Sequence, residues 1–328
     1  MTKNIIKQGI KMADSTYKCK TPVVMIIFNR ADTANAVFEI VRKAQPPKLL
    51  LIGDGARQNK PGELEKVLKT REIAQKVDWN CEVLTCFSDE NLGCKKRISS
   101  GLDWFFNLVD RAIILEDDCK PAATFFRFCD EMLERYKDDE RIMMVSGDEQ
   151  SGAKTPVDTS YYFTKHVHIW GWATWARAWQ KNDTAMKDWP EINRKKSLEQ
   201  LFKHKRYNFY WCHYFGILYE NRVNSWAGPW VYSVWKESGL SIAPKTNLIT
   251  NIGFGKDATH TSGKSIYAEM QTQELEFPLV HPKYVLADAQ RDELEMKHRC
   301  RDDGRLPYPF DMLASLLKWF IIRRILKK

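Results

Sequence analysis

Between residues 22 and 145, short apolar runs alternate with stretches of helical spacing, and this alternation constrains the fold more than any other feature of the chain. The runs are Pro22-Val-Val-Met-Ile-Ile-Phe28, Lys48-Leu-Leu-Leu-Ile52, Cys81 to Phe87, Arg111-Ala-Ile-Ile-Leu115 and Ile142-Met-Met-Val145. Most are apolar at successive positions, as strands buried on both faces should be. Between them Ala34, Val37, Phe38 and Val41 fall on one helical stripe, with Asp32 or Thr33 as the expected cap and Pro46-Pro47 as the stop. A charged helix is expected over about 61–76. Ile98, Leu102, Phe105 and Phe106 mark another, and Phe125, Phe128, Met132 and Leu133 a fourth. Repeated strand–helix units predict an α/β fold, a mostly parallel sheet with helices on both faces. Ligands of such sheets bind at the carboxyl ends of strands. Those ends carry Asn29-Arg30, Asp54 and the triplet Glu116-Asp117-Asp118.

Charge narrows the partners. The net charge is +9. Five lysines against one aspartate in residues 1–20 and five cations in residues 312–328 account for all of it, so residues 21–311 sum to zero. A core of that balance argues against a nucleic-acid binder. No run of about 18 apolar residues is present to span a bilayer. The eight cysteines form no C-x-x-C pair, and they read as scattered reduced thiols of a cytoplasmic protein. Lys3, Lys7 and Lys11 are not followed by an apolar segment, so no secretory signal is expected.

Beyond residue 150 the texture changes. Nine of the twelve tryptophans lie between Tyr161 and Trp235, denser than a core requires. The expected organisation is a basic extension over 1–20, a nucleotide-binding half over 21–150, a Trp-rich acceptor half over 151–265, loops and short elements over 266–308, and a basic amphipathic helix over 309–328. In that last segment Leu313, Leu316, Leu317, Phe320 and Ile321 share a face beside Trp319 and terminal cations. Such a helix lies on the anionic inner face of the cell membrane, docks on its own domain or forms a dimer contact.

Three adjacent carboxylates repel one another, and a hard divalent cation, Mn²⁺ or Mg²⁺, resolves the repulsion while leaving positions for phosphate oxygens. The alternative is a solvated acidic loop. Lys95-Lys96-Arg97 reads either as a diphosphate contact at a helix start or as a solvated first turn. His166 and His168 form an H-x-H pair, but no third ligand lies nearby in the sequence, which favours polar pocket residues over a metal site. Gly263-Lys264-Ser265 lacks the earlier glycine of a phosphate-binding loop, where Ala258 stands.

The chain resembles GT-A-fold glycosyltransferases of a bacterial family-2-like group. More distantly, it is similar to the Golgi N-acetylglucosaminyltransferase that initiates complex N-glycans. The segments that carry the resemblance are 22–30, Gly53-Asp54-Gly55, Asn91-Leu-Gly93, 113–118, Trp170-Gly-Trp-Ala-Thr-Trp175, and 247–254 with Thr259-His-Thr261, in the family's order. The resemblance implies a GT-A, Rossmann-like sheet and a nucleotide-sugar donor, a UDP-sugar by expectation. It puts Phe28, Asn29, Arg30, Asp54, Glu116 and Asp117 around the donor, where the helix-start reading would add Lys96, and Asp118 and His260 on the metal. Trp170, Gly171 and Trp172 would line an acceptor pocket for a surface glycan or lipid-linked glycan. Where family members carry an aspartate after a tryptophan, this chain has Ala227. The nominees for the acceptor base are therefore Asp148 and Glu149, just past the fifth strand. Ala227 also motivates an alternative, a non-catalytic sugar-nucleotide or carbohydrate-binding protein. A nucleotidyltransferase would need a glycine-rich loop after the first strand, where Asn29-Arg30-Ala31-Asp32 stands.

Overall fold

The computed structural model describes residues 17–152, 157–199, 201–254 and 270–302. The elements run β1 (Val23–Ile27), α1 (Ala31–Ala44), β2 (Lys48–Gly53), α2 (Glu63–Arg71), β3 (Glu82–Phe87), α3 (Cys94–Phe105), β4 (Arg111–Glu116), β5 (Cys119–Pro121), α4 (Phe125–Arg135) and β6 (Ile142–Ser146). There follow β7 (Tyr161–Thr164), β8 (Trp172–Trp175), α5 (Ala176–Trp179), α6 (Trp189–Lys195), α7 (Lys205–Tyr219), α8 (Ala227–Lys236), β9 (Leu240–Pro244), β10 (Ile249–Asn251) and α9 (Ala289–Asp302). A 3₁₀ turn, Glu72–Lys76, completes the helix expected over 61–76.

Eight strands form one sheet in the order β3-β2-β1-β4-β8-β6-β9-β7. The first four are parallel to one another. Their side chains alternate between two cores, as the period of a strand requires. Val23, Met25 and Ile27 join Leu49, Leu51, Ile113 and Leu115 beneath α1 and α4. Val24 and Ile26 join Leu50, Ile52, Ala112 and Ile114 on the face covered by α3, α7 and α8.

Three sequence expectations change here, and the sheet order adds a fact that the apolar runs do not give. The fifth apolar run, β6, does not neighbour β4: β8 lies between them, antiparallel to both. The tryptophans beyond residue 160 are mostly core. Trp172 is fully buried, and Trp175, Trp179, Trp189, Trp211, Trp226, Trp230 and Trp235 are buried as well. All but Trp175 fill the space between the sheet and α5 to α8, and Trp175 packs on the other face beside α4. Residues 266–308 include the 14-residue helix α9, which turns Arg291, Asp292, Glu295 and Met296 inward. Finally, neither Asp32 nor Thr33 caps α1; Arg30 holds that position without a side-chain bond. Strands from both sides of residue 150 share the sheet. The seven described cysteines are all free. Among the described residues no helix is long and apolar enough to cross a membrane. The basic segment 309–328 lies outside the described residues.

Candidate active site

Glu116 closes β4, Asp117 and Asp118 form the turn, and Cys119 opens β5. The turn is held from two sides. β5 pairs antiparallel with β10, Cys119 opposite Asn251, and the Ile252 N–H donates to the Asp118 carbonyl at 2.8 Å. Arg30, just past β1, donates through one Nη2 to Asp117 and to Asp118, the latter at 2.9 Å. The parallel register that sets Ile26 opposite Glu116 brings this guanidinium to the triplet.

One guanidinium faces three carboxylates. Burial, then the charges of Asp118 and Asp117, push the Glu116 carboxyl up to about 8, against the pull of Arg30 and a hydrogen bond from Trp226. Burial pushes Asp117 up to about 6 although Arg30 pulls the other way. Burial disfavours the Arg30 charge, but Asp117 and Asp118 outweigh it and hold the guanidinium above its ordinary range. The cluster is short of positive charge and consists of hard oxygen donors, which fits a divalent ion of the Mn²⁺ or Mg²⁺ class. Asp118 would be its direct ligand, since its side chain is 14% exposed and Asp117 only 5%.

Gly253 lets Asp118 sit where it does. A methyl group there would overlap the Asp118 carboxylate. The Gly253 N–H is fixed by Asn251 Oδ1 at 2.8 Å, so the backbone is not free to retreat. Gly253→Ala should therefore displace Asp118 and lower turnover about a hundredfold, the scale of a misplaced reacting group. Steady-state kinetics beside a melting curve checks this, and an unchanged kcat would show that Asp118 need not occupy that spot.

The remaining donor-side residues divide. Asp54 accepts from the backbone N–H groups of Gly55, Leu92 and Gly93 at 3.0, 2.9 and 2.8 Å. It ties the end of β2 to the entry of α3, and both its oxygens are engaged. Asn29 donates to Glu63 at 3.0 Å, and Arg57 covers the Phe28 ring at 5.5 Å. Lys96 is exposed on the first turn of α3. His260 lies outside the described residues.

On the acceptor side the expectations need correction. Trp172 is walled in by Trp226, Trp230 and Trp179, with ring centroids at 5.6, 5.8 and 6.1 Å, so it cannot line an open pocket. Gly171 is buried at a φ of 64°, with Ile249 where a side chain would go. Trp170 alone of the three is partly exposed, edge-on to Phe254 at 5.7 Å. Asp148 has no exposed surface and accepts from Gln150, so it does not stand open to an acceptor. Glu149 accepts from Ser151 and from the Tyr162 hydroxyl at 3.0 Å, with Arg291 at 3.6 Å. Both nominees are members of an interior network. Ala227 is the first residue of α8, directly after Trp226 at the triplet. Trp226 as a donor to Glu116 was not foreseen, because nothing in the sequence links positions 110 residues apart.

No family model matches the chain, and no curated protein matches it. Solved structures with partial likeness include the mannosyltransferase PcManGT from Pyrobaculum calidifontis in complex with GDP-Man and Mn²⁺. That match has 16% identity and a TM-score of 0.31, over 49% of this chain and 46% of that one. A cytidylyltransferase from Leptospira borgpetersenii shows 11% identity and a TM-score of 0.31, over 55% and 73%. The glycosyltransferase GlyE of Streptococcus pneumoniae shows 12% and 0.27, over 57% and 44%. The chain spans less than half of the mannosyltransferase and of GlyE. Likeness at this level decides no chemistry.

Proposed function

We propose that the chain is a GT-A-type glycosyltransferase, moving a hexosyl or N-acetylhexosaminyl group from a nucleotide-sugar to a glycan. The observation that carries this reading is the turn at 116–118, where three carboxylates at the carboxyl end of a parallel strand share one guanidinium. Asp118 would hold Mn²⁺ or Mg²⁺, with Glu116 near it. A bound divalent cation supplies the charge that a departing nucleoside diphosphate needs, without a proton. Arg30 and Asn29 would flank the nucleotide, and Asp54 keeps the loop before α3 in place. Trp170 offers an aromatic face for a sugar's C–H patch. The acceptor base is not among Asp148 and Glu149 as they stand.

The donor we favour is a UDP-sugar. With Mn²⁺ present it should raise the melting temperature by several degrees, at about a hundred times its dissociation constant. No shift with any UDP- or GDP-sugar rejects the reading. A surface-glycan or lipid-linked acceptor accords with the basic segment at 309–328. Deleting 310–328 should release the protein from anionic vesicles in a sedimentation assay, and unchanged partitioning counts against a membrane-proximal acceptor.

A second reading, a sugar-nucleotide-binding protein without turnover, is favoured by Ala227 next to Trp226 and by the enclosure of Asp148. Steady release of nucleoside diphosphate from the donor eliminates it.

A further inference from the structure

His166 and His168 follow β7 on an extended segment, and their rings lie parallel with centroids 6.0 Å apart. Glu295, on α9, enters between them. Its Oε1 lies 2.8 Å from His168 Nε2 and 3.2 Å from His166 Nδ1. All three side chains are at least 98% buried. One ligand atom from each lies within 4.8 Å of the others. We propose that these residues form a site for a borderline-soft divalent ion of the Zn²⁺ class, distinct from the acidic turn and clamping α9 to the strand-end segment at 166–168.

Two further observations point to a ligand. The first is a count of donors. His166 Nε2 lies 2.9 Å from the Asp292 carbonyl, which only accepts, so this nitrogen carries hydrogen. In a neutral ring Nδ1 is then a lone pair, yet it faces a carboxylate oxygen. An ion between two acceptors satisfies both. The second is a pair of buried atoms with no hydrogen-bond partner, His168 Nδ1 and Asp148 Oδ1, which face each other at 4.0 Å. His166 thus turns one nitrogen to Glu295 and donates the other to a carbonyl, the arrangement that orients metal-bound imidazoles, while His168 turns its second nitrogen toward Asp148 without a hydrogen bond.

The dimensions suit the ion. Bonds of about 2.0–2.1 Å in a tetrahedron put ligand atoms about 3.3 Å apart. The 2.8 and 3.2 Å from the Glu295 oxygen to the two nitrogens need outward shifts of about 0.5 Å or less to reach that spacing, and the two nitrogens lie within 4.8 Å of each other. Two nitrogens and one oxygen favour Zn²⁺ over Mg²⁺. The nearby cation is Arg299, 3.3 Å from Glu295 Oε1, and the Asp148 and Glu295 carboxylates offset it.

The test uses the full chain expressed without a histidine tag in zinc-supplemented medium. Elemental analysis should find about one zinc per chain. Stripping with a chelator and adding back Zn²⁺ alone should raise the melting temperature on the order of 5 °C, and Mg²⁺ should not. Asp118→Ala should keep the zinc, and Glu295→Gln and His168→Gln should each lose it. Should both variants fail to fold, the zinc content of the wild-type chain decides the matter by itself. A chain that carries no zinc, and whose stripped form does not respond to Zn²⁺, overturns the proposal and makes the cluster a buried imidazolium–carboxylate pair.

Discussion

Asp118→Ala should lower sugar transfer and donor hydrolysis about a thousandfold in kcat at saturating Mn²⁺, equivalent to about 4 kcal/mol of transition-state stabilisation. The same substitution removes one of three crowded carboxylates. Asp117 keeps its ion pair with Arg30, and Glu116 loses the larger of its two repelling charges. The variant should therefore melt at or above the wild-type temperature. A fall in activity together with retained or raised stability separates a functional carboxylate from a structural one. Unchanged turnover would remove the acidic turn from the mechanism, whatever the melting curve shows.

Trp172→Ala should do the opposite and damage the fold. Trp172 sits at the start of β8, fully buried against three other indoles on the face where α8 packs. Truncating such a side chain costs about 3–5 kcal/mol through lost transfer energy and the cavity left behind. A drop of about 10 °C in melting temperature is expected. Trp172→Phe should cost much less. It keeps most of the apolar volume and removes an indole N–H that is buried without a partner. By contrast, Trp170→Ala should leave the melting temperature nearly unchanged and raise KM for the acceptor. Equal effects of Trp170→Ala and Trp172→Ala on stability would contradict this division of the aromatic segment.

The two predictions also mark where the sequence could be read and where it could not. β1, β2 and β4 were legible because parallel strands buried on both faces leave uninterrupted apolar runs, and α1 and α3 because each carries one apolar stripe; β3 is a half-exposed edge strand, and α2 buries Glu63, Val67 and Thr70 rather than a stripe. The acidic turn was legible because it follows β4 directly. β8 was not: a strand of Trp172, Ala173, Thr174 and Trp175 has the same letters whether its indoles face a sugar or a core. α9 was missed because the residues it buries include Arg291, Asp292 and Glu295, which create no apolar periodicity. Pairing of those charges with groups from β7 and the following segment is a tertiary fact. Glu295 meets His168 across 127 positions, a distance no local spacing can bridge. Asp54 shows a subtler limit. Its place at a strand end was right, but its oxygens serve the backbone of the next loop rather than an open pocket.

The placement of β8 has a consequence for how the chain is made. Synthesis delivers β4 and β6 before the strand that separates them, so the edges that face β8 keep an unsatisfied row of backbone amides and carbonyls until residues 172–175 emerge. A fragment ending near residue 150 would keep both rims open and invite pairing with other molecules. Expression of the first half alone should yield aggregates, and any dissection of this protein has to carry that late-arriving stitch along.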